Sequence, residues 1–186
     1  TPLEPPMDAP IWVTADSVGK PWPNAQTQGL LAFRGNPTRS FYGQGPLPDT
    51  PAVAWRRGPF CGLSSVGNDT KSWCGSGWTG QPVVWQRNNR TEVIQGTYDH
   101  AVYFFDAETG QDLRPPLQTN DIIKGSVSLD PDGYPLLYFG SRDNFLRIAA
   151  LEEEGSRVLW KLPGATSGAV WNNDWDGNPL VINDYL

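Results

Sequence analysis

The chain has 186 residues, enough for one ordinary domain with a sizeable hydrophobic core. Its 14 lysines and arginines against 20 aspartates and glutamates give a formal charge of −6, which argues against nucleic acid or an anionic membrane surface as the partner. Nine tryptophans beside one methionine favour strands and aromatic surfaces over helices, and no apolar run has the length of a membrane-spanning helix.

Residues 1–50 are predicted to form an irregular, Pro/Gly-rich N-terminal segment. The segment opens with TPLEPPMDAPIW, which we interpret as a start left after processing or as a proline-rich tether. A processed start is consistent with export and with a lipid anchor at that end.

The first predicted strand, residues 53–57, is followed by a Gly/Ser-rich loop, residues 58–79, that holds Cys61 and Cys74. With one histidine in the whole chain a zinc site would lack ligands, so a disulfide is the favoured interpretation and two unpaired buried thiols are the alternative. A disulfide implies an oxidising, extracytoplasmic compartment. The pattern GSGWTG near the end of this loop has no strand before it and no helix after it, so it is not interpreted as a dinucleotide-binding loop.

Residues 80–118 and 124–163 each contain four short apolar segments separated by turn residues. Such segments, bounded by Asp-Gly, Thr-Gly and Glu-Gly, predict antiparallel strands, and no stretch has a useful length of helical periodicity. Gly96 of the first stretch recurs as Gly140 in the second, about 44 residues later. Four strands per repeat at this period are typical of the blades of a β-propeller.

Residues 167–186 are interpreted as the first two strands of a third blade. The turn DWDGNP repeats the earlier DPDGYP at the same period, which predicts that Asp174 superposes on Asp130, as Asp143 does on Asp99. The chain would then hold about two and a half blades, together with the outer strand of a closing blade in its first predicted strand.

The stretch GTYDHAVYFFDAETGQDL, with GSRDNFLRIAAL after it, resembles the repeat of the pyrroloquinoline quinone (PQQ)-like β-propellers, G-x-x-D-x-x-V/L-Y-x-x-D-A-x-T-G-x-x-L/V-W. The first copy matches well, whereas Ala150 stands in the second copy where the first has Asp106. The resemblance covers residues 50–186 and implies an all-β fold, a partial propeller of four-stranded antiparallel blades. It also implies an exported protein, periplasmic, cell-surface or secreted, similar to the lipoprotein propeller that assists outer-membrane protein assembly.

An open propeller would expose two unpaired sheet edges, which proteins normally cover or pair. The resemblance implies closure with seven or eight blades. We therefore expect a protein partner, or further blades on another chain or in a longer precursor, and we do not expect the 186 residues to form a closed globule alone.

No catalytic residue, metal ligand or cofactor is assigned from the sequence. The D-x-D-G pairs Asp130/Asp132 and Asp174/Asp176 lack the further acidic ligand of a calcium-binding EF-hand, and Asp-Gly makes a good turn by itself. The resemblance also points to PQQ-dependent dehydrogenases, which need a disulfide of adjacent cysteines, a calcium held by Glu and Asn, and an Asp base. The two cysteines of this chain are not adjacent, so neither PQQ nor calcium is supported.

The candidate binding surface lies in SGAVWNNDWDGNP, residues 167–179. Trp171, Asn172, Asn173 and Asp174 together could stack on and hydrogen-bond a sugar or a peptide. In the alternative interpretation, the tryptophan packs between blades while Asn173 and Asp174 fix the turn through bonds to the backbone.

Three further polar residues complete the set of candidates. Lys124 is predicted to point into the central channel, and Arg142 to form an ion pair with Asp143 in a loop. His100 falls in a predicted hairpin turn, where solvent exposure is expected.

These features favour a non-catalytic exported propeller that serves as a scaffold or binding module for a protein partner. A fragment of a PQQ-dependent dehydrogenase and a carbohydrate-binding propeller are the alternatives.

Overall fold

A computed structural model describes residues 17–77, 79–164, 174–182 and 185–186 of the chain. These residues form antiparallel sheets without an α-helix, which confirms the predicted all-β class, and they include no helix that could cross a membrane. The strands, in chain order, are β1 (Gln28–Leu30), β2 (Cys61–Val66), β3 (Asp69–Cys74), β4 (Val83–Arg87), β5 (Arg90–Gly96), β6 (Ala101–Asp106), β7 (Leu117–Gln118), β8 (Ser128–Leu129), β9 (Leu136–Gly140), β10 (Phe145–Leu151) and β11 (Ser156–Pro163).

These strands make three sheets. One has five strands in the order β1-β4-β5-β6-β7, one has four in the order β11-β10-β9-β8, and β2 pairs only with β3. Strands β4 to β7 and β8 to β11 are therefore two consecutive antiparallel meanders, called below the first unit and the second unit. Neither sheet closes on itself.

The two units share a register and a turn. Gly96 is the last residue of β5 and Gly140 the last residue of β9, and each strand pairs with the next one in its unit. His100 and Asn144, at the same place in the turns that follow, both have a positive φ, of 66° and 72°. A left-handed residue at matching positions gives both turns a similar backbone path.

The hydrophobic core lies between the two units. Successive residues of a strand face opposite sides of the sheet, so each unit turns one apolar face toward the other. Burial of a large apolar side chain stabilises a fold by roughly 1.5–3 kcal/mol. The strand residues of this core are Val83, Trp85, Ile94, Val102, Phe104, Leu117, Leu129, Leu137, Phe139, Ala149 and Leu151.

The N-terminal segment, predicted to be irregular, contributes a strand to this core. In β1, Gly29 pairs with Trp85 of β4, and a Cβ at Gly29 would collide with the carbonyl oxygen of Val84. The next residue but one, Leu31, is buried, and its carbonyl accepts a hydrogen bond of 2.7 Å from the amide of Leu129 in the second unit. The prediction was wrong here because the free edge of β4 is satisfied by a distant segment with no strand pattern of its own.

The strand predicted at residues 53–57 is absent, and this segment instead packs by its side chains. Trp55 Nε1 donates to the carbonyl of Ala107 at 2.9 Å, and Arg57 Nη1 donates to the carbonyl of Gly110 at 2.8 Å. The Trp55 ring also lies 6.0 Å from that of Phe105, so Trp55 and Arg57 cover part of the first unit without joining its ladder.

The predicted loop at residues 58–79 is largely a β-hairpin, β2–β3. Val66 pairs with Asp69 across a two-residue turn, and Cys61 pairs with Cys74 at the open end. The predicted disulfide is confirmed, with the two Cα atoms 4.1 Å apart. A disulfide at this place closes the hairpin at its base.

The predicted equivalence of Asp130 and Asp174 is wrong. Asp130 follows β8 and accepts a 2.7 Å hydrogen bond from the Tyr138 hydroxyl, whereas Asp174 contacts Lys124, before β8. The similarity of DPDGYP and DWDGNP is one of turn chemistry and not of place in the repeat.

The described residues contain neither of the two strands predicted for the third blade. The first, GAVWN, lies outside the described residues, and the second, LVINDY, shows only an isolated bridge between Ile182 and Tyr185.

Candidate functional site

The matching turns of the two units each hold an aspartate that reaches four residues along the chain. The Tyr103 hydroxyl donates to Asp99 Oδ2 at 2.7 Å, and Arg147 Nη1 donates to Asp143 Oδ1 at 2.8 Å. Arg147 also binds the second carboxylate oxygen of Asp143. The predicted ion pair between Arg142 and Asp143 is therefore wrong, because the buried Arg147 binds both carboxylate oxygens of Asp143.

The contacts in the two turns raise the pKa of Tyr103 and lower the pKa of Asp143. Burial, together with the hydrogen bond to Asp99, raises the pKa of Tyr103 to about 12. Burial also acts to raise the pKa of Asp143, but hydrogen bonds from Arg147 and from the Asn120 amide outweigh it and lower that pKa below its usual 3.8. The turn of the first unit thus holds a neutral phenol and that of the second a buried charge pair.

Beside these turns lies an ion cluster, formed by Lys124, Arg142, Asp174 and Asp176. Lys124 Nζ is 2.9 Å from Asp174 Oδ2 and also binds Asp176, and Arg142 Nε is 3.3 Å from the same Asp174 oxygen. Lys124 precedes β8, Arg142 lies in the β9–β10 turn, and both aspartates come from the segment after the second unit. The cluster therefore joins that segment to the second unit.

The charges of the ion cluster balance one another. Burial acts to raise the pKa of Asp174, as does Asp176, while Lys124 opposes both, and the net direction is upward. Burial acts to lower the pKa of Lys124, but its bonds to Asp176 and Asp174 raise it. Two cations facing two anions hold a segment in place and leave little charge for a ligand.

Three of the six residues predicted as a binding surface meet in this cluster. Lys124, Arg142 and Asp174 lie together, although no motif in the sequence links them. The other three, residues 171–173, lie outside the described residues.

The disulfide hairpin lies across the turns of both units. Nε2 of His100 in the first unit is 2.8 Å from the carbonyl oxygen of Leu63, and Arg142 of the second unit donates to the carbonyl of Ser65 at 3.0 Å. His100 is thus half-buried and hydrogen-bonded, where exposure was expected. The hairpin ties the two units together at this end.

An apolar cleft, here called the tryptophan cleft, opens beside the ion cluster. It has a volume of about 410 Å³, and Trp160 at its wall is 46% exposed. Its principal lining residues come from β10, β11 and the segment after the second unit: Leu146, Trp160, Leu162, Trp175, Pro179 and Leu186.

Trp175 is the aromatic residue that fixes one wall of the cleft. Its Nε1 donates to the carbonyl of Asn144 at 3.2 Å, and a Cβ on Gly140 would collide with the Trp175 side chain. Sequence reasoning chose Trp171 and missed both Trp160 and Trp175. The glycine that ends β9 was the available signal, since a glycine within a strand often marks close approach of another group.

The arrangement offers an apolar, aromatic cleft beside a balanced ion cluster, which suits binding of an apolar surface better than binding of a charged one. Within the described ranges, no group of three or more histidines, cysteines, aspartates or glutamates is placed to hold a metal ion. Comparison with protein-family models, with curated proteins and with solved structures found no match for this chain.

Proposed function

We propose that the chain is a non-catalytic, exported scaffold that binds a protein partner through the outer face of its second unit, the face that carries Trp160. The observation that carries this proposal is the unequal cover of two equivalent faces. On the corresponding face of the first unit, Ile94, Val102 and Phe104 are 0% exposed. On the second unit Tyr138 and Leu146 are also buried, at 6% and 8%, but Trp160 in β11 is 46% exposed.

In the first unit, the face in question is covered by the second unit. Ile94 pairs with Phe104 and Gly96 with Val102, so these side chains share one face. Ile94, Val102 and Phe104 are all 0% exposed. A whole four-stranded sheet occupies this face.

In the second unit, the same register places Tyr138 opposite Ile148 and Gly140 opposite Leu146. Strand β11 extends the face with Trp160, which pairs with Ile148. The segment after the second unit covers part of it, yet Trp160 stays nearly half exposed and the tryptophan cleft stays open.

The proposed occupant is a β-sheet of a protein partner. The first unit shows what this kind of face packs against. Its corresponding face is covered by the sheet of the second unit, which presents apolar residues at alternate positions. A half-exposed tryptophan in an apolar recess is also the kind of residue that dominates binding energy at protein interfaces.

Two further observations support this picture. The repeated meanders and the resemblance of the first to PQQ-like repeats favour neighbouring blades of a propeller as their arrangement. The disulfide favours an oxidising, extracytoplasmic compartment.

The test is site-specific photo-crosslinking of the exported chain in its source cells. A photoreactive amino acid replaces Trp160 in one variant and the exposed Tyr134, outside the cleft, in a matched control. We expect adducts from position 160 that map by mass spectrometry to a strand-rich apolar segment of another protein. Equal crosslinking from both positions, or adducts only between copies of this chain, would contradict the proposal.

A carbohydrate ligand is the second candidate, because two tryptophans line the cleft. Titration with oligosaccharides, followed by tryptophan fluorescence, separates the two functions. Saturable changes that disappear in Trp160→Ala and Trp175→Ala would favour the carbohydrate over the protein partner.

A further inference from the structure

A second polar region lies away from the tryptophan cleft, around a buried carboxylate in β5. Glu92 is 0% exposed and faces the guanidinium groups of three arginines. Arg87 Nε is 2.9 Å and Arg90 Nη2 is 3.4 Å from Glu92 Oε1, and Arg114 binds the other oxygen. These four residues are called below the arginine cluster.

Positive charge exceeds negative charge in the arginine cluster. Three guanidinium groups share one carboxylate. Two further acids lie near the cluster: Asp106, which pairs with Glu92 across β5–β6, and the exposed Glu153, which accepts a 2.6 Å hydrogen bond from Asn88. The pKa of Arg114 is lowered to about 10, chiefly by burial and also by the neighbouring Arg87 and Arg90, against the opposing effect of Glu92.

The hydrogen-bonding capacity of the cluster is also incompletely used. Arg87 Nη2 and Arg90 Nε are buried and have no hydrogen-bond partner among the residues that the structure describes. A buried donor without a partner is costly, and native structures usually satisfy such groups with protein, water or ion.

The cluster adjoins an open polar cleft at the β4–β5 turn. The cleft has a volume of about 390 Å³ and is lined by Gln86, Arg87, Asn88, Arg90 and Thr91 among others. The Arg90 side chain is 38% exposed, so its guanidinium is within reach of a ligand in the cleft.

The repeated fold does not require this cluster. Glu92 pairs with Asp106 in the first unit, and the matching pair in the second unit is Leu136 with Ala150. The second unit forms the same meander with apolar residues at these positions. Formation of the meander therefore does not explain the arginine cluster of the first unit.

We propose that the cleft at the β4–β5 turn binds a small oxyanion of the phosphate class against Arg87 and Arg90. The planar guanidinium fork matches two oxygens of a phosphate group, and such bonds are strengthened by charge. Asn88 and Thr91 supply neutral polar groups at the same cleft. This site is independent of the protein-binding face of the second unit.

The test is titration of the full chain with inorganic phosphate at constant ionic strength, followed by NMR of the arginine Nε–Hε signals. We expect saturable shifts of Arg87 and Arg90, and binding at least about tenfold weaker in Arg90→Gln, as loss of a charged hydrogen bond implies. The exposed Arg56→Gln makes the same change of charge elsewhere and should bind normally.

Two further arms keep the result decisive. Arg90→Lys preserves the charge without the fork, and weakened binding in this variant would show that geometry matters; it also replaces Arg90→Gln if that variant does not fold. Parallel titration with a phosphomonoester distinguishes free phosphate from a phosphorylated molecule as the source. Non-saturable shifts, or equal weakening by Arg56→Gln, would overturn the proposal.

Discussion

The two units have the same strand pairing, yet their equivalent positions have different surroundings. Phe104 on the first unit is fully buried under the second, whereas Ile148, its match, lies on a face that the rest of the chain covers only in part. The turns differ as well, since Asp99 holds a phenol and Asp143 a guanidinium. A common backbone can therefore carry a core position in one copy and a partly exposed position in the next.

Truncation at the matched core positions should give the largest contrast. We expect Phe104→Ala to lower the free energy of unfolding by about 3–5 kcal/mol, because it leaves a cavity in the core. Ile148→Ala should lower the free energy of unfolding by only about 2 kcal/mol, because the Ile148 side chain is already partly exposed. Urea denaturation of both variants measures the difference, and equal losses would break the comparison.

The buried ion pair of the second unit should come next. Arg147→Gln leaves Asp143 without its cation, and removal of one partner of a buried pair typically costs about 3 kcal/mol. The exposed pair of Arg157 with Glu152 provides the control, and Arg157→Gln should change stability by less than about 1 kcal/mol. Similar losses in the two variants would show that Arg147 is not buried as described.

The same pair predicts a dependence on acid. Asp143 has a lower pKa in the folded chain than its usual 3.8, so its stabilisation is present above the usual value and is lost as the pH falls through the folded one. Denaturation curves at decreasing pH should show this loss in the wild-type chain and a smaller one in Arg147→Gln. An unchanged acid profile in the variant would contradict the assigned pairing.

The disulfide hairpin should contribute a comparable or smaller amount. Its crosslink closes a short loop, so Cys61→Ser with Cys74→Ser should destabilise the chain by about 2–3 kcal/mol. Because the hairpin contacts His100 and Arg142, hydrogen exchange should rise in the turns of both units. A rise confined to the hairpin itself would show that it does not join them.

The smallest effect is expected in the turn of the first unit. Tyr103→Phe removes one neutral donor to a carboxylate and should cost about 1 kcal/mol. Because the folded pKa of Tyr103 is raised to about 12, its contribution is full below the unfolded value near 10 and is lost as the pH rises through 12. Alkaline denaturation should therefore differ between the two chains, and identical curves would remove the Tyr103–Asp99 bond from the account.

The parts of the fold that local signals encode could be predicted from the sequence. Glycines and aspartates at turn positions, with short apolar runs between them, indicated the meanders of both units. The β2–β3 hairpin had a local signal too, the Gly67-Asn68 turn, but its strands are polar and were taken as a loop. Strand β1 had none, since its position depends on the free edge of β4.

The candidate sites depend even more on contacts between distant residues. The three partners of Glu92 come from β4, from β5 itself and from the connection after β6, with no motif that links them. Trp160 looked like an ordinary strand residue, and its exposure depends on what covers the face of the second unit. Asp174 was selected as part of a polar and aromatic stretch, and its contacts with Lys124 and Arg142 could not be read from that stretch.

Hydroxyl-radical footprinting of the full chain tests most directly whether equivalent faces are covered unequally. Mass spectrometry would compare oxidation of Trp160 and Leu162 on the second unit with that of Phe104 and Leu117 on the first. We expect strong oxidation of Trp160, weaker oxidation of Leu162 and protection of Phe104 and Leu117. Equal protection at both faces, in a chain shown to be folded and monomeric, would contradict the open face on which the proposed partner binds.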